Sequence, residues 1–278
     1  MKTLIIGAKG MLGQELVKVF SYGQVLAWDK EEIDITDKND VLKKILETKP
    51  DLIINAAAYN AVDKAEEDEA TANLLNGTAV SYLAQAATIG GAAIIHYSTD
   101  YVFDGTNKNG YAEDARPAPL SVYGRSKLLG EKELVRNADK HYLIRTSRLF
   151  GPPAASGAAK KSFPDAILDL AKTKKYLDLV DEEYSSPTYA KDLASRTKEI
   201  MDKQMPYGIY HAANSGACTW YGFGKKVLEI AKEGAVCRPV SSSAFPRPAK
   251  RPAYSELIST KMPPLRSWEE ALTEYLNI

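Results

Sequence analysis

Two pairs of residues in this sequence could carry out acid chemistry, because each places a tyrosine four positions before a lysine: Tyr123 with Lys127, and Tyr221 with Lys225. Residues four apart share one face of a helix, so either pair could hold an ammonium group beside a phenol. The chain has 16 tyrosines, so about one or two such matches arise by chance. Position along the chain must therefore decide, and only the first pair lies in the half that carries a phosphate-binding pattern.

The first pair follows a predicted strand that ends in Ser98, Thr99 and Asp100. A hydride delivered to a carbonyl carbon leaves an alkoxide, which needs a proton from a nearby acid. Tyrosine, with a pKa of about 10, is too weak an acid unless a cation stabilises its phenolate. Lys127 can be that cation, and its stem can position a nicotinamide ribose. Thr99 can hydrogen-bond the carbonyl oxygen; Ser98 is the alternative, since side chains alternate along a strand.

A glycine pattern lies directly after the first predicted strand, with Gly7, Gly10 and Gly13 enclosing Met11 and Leu12. Glycines at a strand-to-helix turn let the backbone approach a pyrophosphate, and the helix N-terminus offers free N–H groups and a partial positive charge. A spacing of three and three is the form found in short-chain dehydrogenase/reductases. The pattern predicts that these five residues bind a nicotinamide dinucleotide.

The end of the second predicted strand carries Asp29 and Lys30. An acidic residue here suits the free ribose of NADH, whereas a cation suits the 2′-phosphate of NADPH. The sequence supplies both, so the cofactor is predicted as NADPH or NADH. NADPH is slightly favoured because Lys30 can swing toward a phosphate that Asp29 alone would repel.

Short apolar runs alternate with helix-period segments through the first 150 residues, which is typical of βαβ units and a parallel sheet. The predicted strands are 3–6, 24–28, 51–55, 92–97 and 141–145, and the predicted helices are 11–20, 39–47, 66–89 and 120–137. We expect an α/β fold: a Rossmann-type doubly wound parallel sheet with a smaller C-terminal α/β substrate lobe. The dinucleotide domain takes residues 1–150 with 188–215, and the lobe takes 151–187 and 216–278. The lobe opens with a small-residue loop at 151–161 and ends in a helix at 268–276.

Several further motifs make the chain resemble the dTDP-4-dehydrorhamnose reductase family of extended short-chain dehydrogenase/reductases, nearly from end to end. They include Tyr-Ser-Thr-Asp-Tyr-Val-Phe at 97–103, Arg-Thr-Ser at 145–147, Ser-Pro-Thr at 186–188 and Arg-Pro-Ala-Tyr-Ser at 251–255; further matches lie at 7–13, 34–36, 55–59, 62–66, 75–76 and 123–127. The resemblance implies reduction of the 4-keto group of a dTDP-6-deoxyhexulose to dTDP-L-rhamnose with NADPH or NADH. It implies further cofactor contacts at Asp34, Ile35, Ala56, Ala57, Ala58, Tyr59, Asn76 and Tyr97.

On the substrate side the resemblance implies that Thr99 and Asp100 touch the sugar, and we assign Arg148, Phe163 and Arg251 to the same site. The chain departs from the family here, since many members have tryptophan at the position of Arg148 and an Asn-Phe pair where this chain has Ser-Phe at 162–163. Arg148 could meet the diphosphate or stack on the base. Arg251 belongs to a basic cluster that could grip a diphosphate or lie in solvent.

No metal is expected. Glu15 matches a carboxylate that joins a magnesium-bridged dimer in some family members, but Lys191 stands where the partner carboxylate is expected, and one surface glutamate binds no ion tightly. We therefore expect a monomer or a weak homodimer.

Composition excludes several classes of partner. Lysine plus arginine balance aspartate plus glutamate, 36 against 36, so no global field attracts nucleic acid or an anionic membrane. We expect a cytoplasmic protein, with no signal peptide or long apolar run, and with Cys218 and Cys237 as free thiols. His96 and His211 lie in apolar strand contexts and are interpreted as buried core residues.

Three other functions fit the same scaffold. A sugar-nucleotide dehydratase would need an Asp-Glu pair after the threonine, and here Asp100 is followed by Tyr101. An epimerase, which keeps its NAD and returns the hydride, is not distinguished by the sequence. A non-catalytic regulatory protein is disfavoured by the complete set of Thr99, Tyr123 and Lys127.

Overall fold

The computed structural model describes residues 1–155 and 161–277 of the chain. The middle of the predicted loop at 151–161 therefore lies outside the described residues. The strands are β1 Lys2–Ile6, β2 Gln24–Trp28, β3 Leu52–Asn55, β4 Ala93–Thr99, β5 His141–Thr146, β6 Leu149–Phe150, β7 Tyr176–Val180, β8 Thr188–Tyr189, β9 Gly208–His211, β10 Asn214–Ser215, β11 Val236–Val240 and β12 Leu265–Ser267. The helices are α1 Met11–Phe20, α2 Lys38–Thr48, α3 Glu69–Asn73, α4 Ala79–Gly90, α5 Val122–Asn137, α6 Phe163–Ala171, α7 Ala190–Asp202, α8 Trp220–Ala231 and α9 Trp268–Leu276.

Six parallel strands form the main sheet in the order β2-β1-β3-β4-β5-β9. Each inner strand is apolar on both faces, as in β1, where Leu4 and Ile6 pack toward α2 and α4 while Ile5 packs toward α1 and α7. Helices cover both faces because a parallel sheet must be buried on both. The predicted Rossmann-type fold is confirmed, and the order reverses between β1 and β3, where such sheets bind ligands.

The C-terminal lobe has its own apolar core, built around Phe150, Phe223, Trp268 and Leu272 from β6, α8 and α9. Three small parallel pairs accompany it: β6 with β8, β7 with β11, and β10 with β12. The chain returns to the main sheet through α7 and β9 before it ends in the lobe.

The long helix predicted over 66–89 is present as a continuous helical stretch from the start of α3 to the end of α4, but its middle is not α-helical. A 3₁₀ turn at Lys64–Glu66 is followed by α3, a π-helical turn at Leu74–Thr78 and then α4. The π-helical turn includes Gly77, where an added Cβ would lie 2.4 Å from a side-chain carbon of Leu129 on α5. Close packing against α5 accompanies the departure from α-helical geometry at this point.

Candidate active site

The predicted acid and its partner lie on the first turns of α5, which packs against β4. Ser121 caps the helix by accepting a hydrogen bond from the Gly124 N–H (3.1 Å), and the Glu66 carboxylate accepts one from the Val122 N–H (2.9 Å). Gly124 allows α5 to approach closely, since a Cβ there would lie 2.3 Å from the Tyr101 carbonyl oxygen. The start of α5 is thereby fixed, with Tyr123 one residue inside it.

Lys127 is buried, with only 3% of its surface exposed, and it points at β4. Its ammonium donates to the Tyr97 carbonyl (2.6 Å) and lies 3.5 Å from Nε2 of His96. Burial lowers the pKa of Lys127 to about 8, and the negative charge of Glu131 opposes this effect. Burial also holds the pKa of His96 well below its ordinary value, so His96 is neutral.

The Tyr123 phenol faces Thr99 at the end of β4. Burial raises the pKa of Tyr123, and a hydrogen bond with Thr99 acts in the opposite direction. Asp100 also raises this pKa, while Lys127 is turned toward the strand rather than toward the phenol. Proton donation from Tyr123 thus requires a rearrangement of charge in the crevice.

Of the two hydroxyls at the end of β4, that of Thr99 is the one beside Asp100 and Tyr123. Ser98 donates its proton to the Glu131 carboxylate (2.6 Å) inside the protein. Asp100 is buried, and its carboxylate accepts hydrogen bonds from Thr99 (3.0 Å) and Ser255 (2.6 Å). Burial raises the pKa of Asp100 to about 6, against the effect of these two bonds.

The glycine turn lies where β1 leads into α1, and its geometry fits a pyrophosphate. Gly7 has φ +79°, and a Cβ there would lie 2.8 Å from the Ala57 backbone nitrogen; a Cβ on Gly13 would lie 2.1 Å from the Gly7 carbonyl oxygen. No side chain caps α1, whose N-cap is Gly10. The first N–H groups of α1, those of Met11 among them, therefore face the crevice beside β3, as an anion requires.

The predicted adenosine end lies beside β2. The Asp29 carboxylate accepts hydrogen bonds from the backbone N–H groups of Lys9 (3.1 Å) and Lys30 (2.9 Å), which fix its position. The side chain of Lys30 is exposed. Asp34 accepts two bonds from Thr36, so its carboxylate is already engaged, while Ile35 is buried.

Several residues implied by the resemblance line the crevice wall or hold it in place. Asn76, in the π-helical turn, bonds to both backbone polar groups of Tyr59 (2.9 and 3.0 Å) and donates to Ser126 of α5 (2.9 Å). The Tyr97 hydroxyl pairs with Thr197 on the far face of the sheet, so only its backbone faces Lys127. Ala56 to Ala58 follow β3 along the crevice.

Arg148 is held rigidly between the two lobes of the chain. Its guanidinium donates to the carbonyls of Cys218 (2.7 Å) and Glu183 (2.5 Å) and stacks on the Trp220 ring, 4.0 Å from its centre. Its φ of +40° is uncommon for a residue other than glycine and marks a strained position. Phe163 packs against the same tryptophan, with the ring centres 4.7 Å apart.

The basic cluster lies at the rim of a cavity of about 730 Å³. Arg251 forms a two-pronged ion pair with Asp63 (2.7 and 2.6 Å), and Arg247 pairs with Glu183. These carboxylates neutralise both arginines, which leaves Lys250 exposed beside them. A diphosphate would reach Arg251 only in competition with Asp63.

Glu15 forms an ion pair with Lys18 (2.6 Å), and Lys191 forms a separate one with Glu274 (2.6 Å). Within 1–155 and 161–277, no group of three or more His, Cys, Asp or Glu residues is arranged to hold a metal ion. In the same part of the chain, no helix combines the length and the apolar character needed to cross a bilayer.

Sequence reasoning missed Glu131, Ser255 and Trp220. Glu131 lies four residues after Lys127, a spacing that places both on one helix face. For Trp220, the sequence contains no local signal of its contact with Arg148, which is 72 positions away along the chain (220 against 148).

Comparison with known proteins gives one consistent result. The family model described as "RmlD substrate binding domain" matches residues 1–278. The dTDP-4-dehydrorhamnose reductase of Escherichia coli is 35% identical over 100% of this chain and 97% of its own. A probable dTDP-4,6-dihydroxy-2-methyloxan-3-one 4-ketoreductase of Streptomyces antibioticus is 38% identical over 99% and 94%. The solved structure of the Bacillus anthracis dTDP-4-dehydrorhamnose reductase in complex with NADP superposes with a TM-score of 0.94, at 32% identity over 100% and 99%.

Proposed function

Because this chain belongs to the RmlD family, as its motifs predicted, we propose that it is an NAD(P)H-dependent dTDP-4-dehydrorhamnose reductase. It reduces the 4-keto group of a dTDP-6-deoxyhexulose to give dTDP-L-rhamnose. One observation carries the proposal: Tyr123 at the start of α5 lies beside Thr99 at the end of β4, close enough for Thr99 to lower the pKa of the phenol, on the same edge of the sheet as the glycine turn. Acid and dinucleotide site thus share one crevice.

The residues that would hold the dinucleotide are the glycine turn for its pyrophosphate, Asp29 and Lys30 for its adenosine end, and Tyr123 with Lys127 for its nicotinamide end. The bound dinucleotide supplies a hydride to the carbonyl carbon. A carboxylate at Asp29, held by two N–H groups, suits a free 2′-hydroxyl. The exposed Lys30 suits a 2′-phosphate, so both NADH and NADPH are expected to serve.

Three side chains handle the charge that develops on the substrate oxygen. Thr99 donates a hydrogen bond to this oxygen, and Tyr123 donates its proton to it. Lys127 stabilises the resulting phenolate when its flexible side chain turns from the Tyr97 carbonyl toward the phenol. The Thr99 hydroxyl donates to Asp100 at 3.0 Å, so it turns from this carboxylate toward the substrate oxygen when the substrate binds.

The substrate side is built from Asp100, Arg148, Phe163 and Arg251. Asp100 and Thr99 face the sugar. Both terminal nitrogens of Arg148 donate hydrogen bonds within the protein, and its guanidinium stacks on the Trp220 ring. Arg148 therefore contributes positive charge and shape to the site rather than direct hydrogen bonds to the substrate. Arg251 binds the diphosphate after its ion pair with Asp63 opens.

The test is oxidation of NADPH and of NADH in the presence of a dTDP-4-keto-6-deoxyhexose, with wild type, Tyr123→Phe and Tyr221→Phe. Tyr123→Phe should lose turnover by about 100-fold or more while NADPH still binds, because general acids contribute about that much. Tyr221→Phe, from the other tyrosine–lysine pair, should match wild type. Equal rates for wild type and Tyr123→Phe, or no turnover by the wild type, would refute the proposal.

A further inference from the structure

A buried ion pair lies one helical turn beyond Lys127. The Glu131 carboxylate of α5 accepts two hydrogen bonds from the Arg145 guanidinium of β5, at 2.9 and 2.7 Å. Only 5% of the Glu131 side chain and 2% of the Arg145 side chain are exposed. The reaction scheme above uses neither residue.

The pair is connected to the strand end that carries Thr99. Ser98 donates its hydroxyl proton to the same Glu131 carboxylate at 2.6 Å. Arg145 also donates to the Glu113 carbonyl (3.3 Å) and lies 3.4 Å from the ring of His211, at the end of β9. One buried carboxylate therefore ties β4, α5 and β5 together directly beside the catalytic groups.

Stability is a poor explanation for this arrangement. Two charges must be removed from water, and replacing a buried ion pair with apolar residues of similar size is often neutral or stabilising. The location points to the chemistry instead. Glu131 lies four residues after Lys127 on the same helix face, and it holds the residue that directly precedes Thr99.

We propose that Glu131 positions the catalytic groups without contacting the substrate; this inference rests on the proposed reductase function. Its carboxylate fixes the end of β4 against α5, so that Thr99 and Lys127 face the same point, and its negative charge balances the ammonium that the reaction needs. Arg145 anchors the carboxylate in this position.

The charges around Lys127 make the proposal testable by pH. The titratable or charged groups beside Lys127 are His96 of β4 and Glu131 of α5, with Arg145 of β5 behind Glu131. His96 is neutral, and Glu131 is the group whose charge raises the pKa of Lys127. Glu131→Gln removes this charge and leaves the Arg145 cation unbalanced, so Lys127 should lose its proton at lower pH.

The experiment is the pH profile of kcat for wild type, Glu131→Gln, Glu133→Gln and the double variant Glu131→Gln/Arg145→Met. The alkaline limb of Glu131→Gln should lie about one pH unit or more below that of wild type, the size expected for one nearby charge at the effective dielectric of proteins. Glu133→Gln removes the same charge from the outer side of α5, where Glu133 pairs with Arg136, and should leave the limb in place.

In the double variant the unbalanced cation is also gone, so its limb should lie between those of wild type and Glu131→Gln. If Glu131→Gln does not fold, the test is the alkaline limb of the double variant compared with those of wild type and Glu133→Gln. A lower kcat at every pH with an unmoved alkaline limb would show a merely structural role and overturn the proposal. A double variant with the same limb as wild type or as Glu131→Gln would overturn it too.

A second readout does not need the sugar nucleotide. Cyanate carbamoylates only the neutral amine, so the pH dependence of its reaction with Lys127, followed by mass spectrometry in the cofactor-free protein, reports the protonation of this residue. The midpoints of the carbamoylation profiles should fall in the same order as the alkaline limbs of kcat: lowest for Glu131→Gln, intermediate for the double variant, and highest for wild type and Glu133→Gln. Absence of turnover would refute the proposed function, whereas equal midpoints in wild type and Glu131→Gln would refute the role of Glu131.

Discussion

Replacing Lys127 with methionine should abolish turnover and, in addition, change how the stability of the protein depends on pH. Burial lowers the pKa of Lys127 from its ordinary 10.5 to about 8 in the folded protein. Between these two values the unfolded chain binds a proton that the folded chain does not. The free energy of unfolding of the wild type therefore rises with pH over this window.

Below pH 8 the folded wild type carries the full cost of an ammonium inside the protein. At about 1.4 kcal/mol for each pH unit between the two pKa values, this cost is about 3 kcal/mol. Methionine carries no such cost, so the stability of Lys127→Met relative to wild type should fall by about 2 kcal/mol between about pH 7 and about pH 9.5. The lost bond to the Tyr97 carbonyl shifts this difference by a constant and leaves its slope unchanged.

Denaturant unfolding of both proteins at a series of pH values measures the difference directly. Lys132→Met is the matched control, because Lys132 lies on the same helix with its side chain exposed. Its unfolding free energy should run parallel to that of the wild type. If Lys127→Met also runs parallel, Lys127 is not an ammonium held against desolvation, and the reasoning fails.

Three further single substitutions have defined outcomes. Gly7 has φ +79°, and the new Cβ of Gly7→Ala would lie 2.8 Å from a backbone nitrogen, so this variant should raise the NADPH dissociation constant about tenfold or more. The control Gly91→Ala, at φ +77° with open space around it, should leave this constant unchanged. Equal dissociation constants for the two variants would show that the glycine turn does not bind the pyrophosphate. Arg148→Met should raise the KM for the sugar nucleotide about tenfold with NADPH binding unchanged, since the lost cation lies on the substrate side; a parallel loss of both would refute this placement. The hydrogen bond from Ser255 lowers the pKa of Asp100, which is about 6 in the wild type. Ser255→Ala removes this bond and should raise that pKa, so the acid limb of kcat/KM should move about one pH unit higher. An unmoved limb would exclude Asp100 as an ionised substrate contact.

Local patterns in the sequence were enough to predict five of the six strands of the main sheet and the phosphate cradle. The predicted bounds of β2, α1 and α9 agree with the structure, and those of β1, β3, β4 and β5 differ by one or two residues. These elements follow short-range rules: an apolar run buried on both faces, or an apolar stripe at helical spacing. The spacing of the glycine turn was also visible locally, since Cβ atoms on Gly10 and Gly13 would approach backbone atoms within the turn itself, whereas Gly7 also approaches Ala57, just after β3.

Features that depend on distant contacts could not be predicted in this way. The π-helical turn carries Asn76, which bonds to Tyr59, 17 residues earlier, and to Ser126, 50 residues later. The contacts of Arg148 lie 70 and 35 residues away, which is why the sequence left a choice between a diphosphate contact and stacking. The observed stacking partner is Trp220 of the protein itself.

The meaning of the tyrosine–lysine spacing comes from the strand that it faces. Along β4, His96 and Ser98 turn toward α5 and contact Lys127 and Glu131, whereas Tyr97 turns to the opposite face. Lys127 of α5 is therefore held at His96 and the Tyr97 carbonyl, and Glu131, four residues later, is held by Ser98. The strand ends at Thr99, whose hydroxyl donates to Asp100. The pair on α8 has the same spacing, but its helix packs on β7 and β11 at the edge of the other lobe. We expect the same spacing to be inert there, because in the proposed reaction a phenol acts as an acid only where a strand end supplies a hydroxyl, a crevice and a buried carboxylate around it.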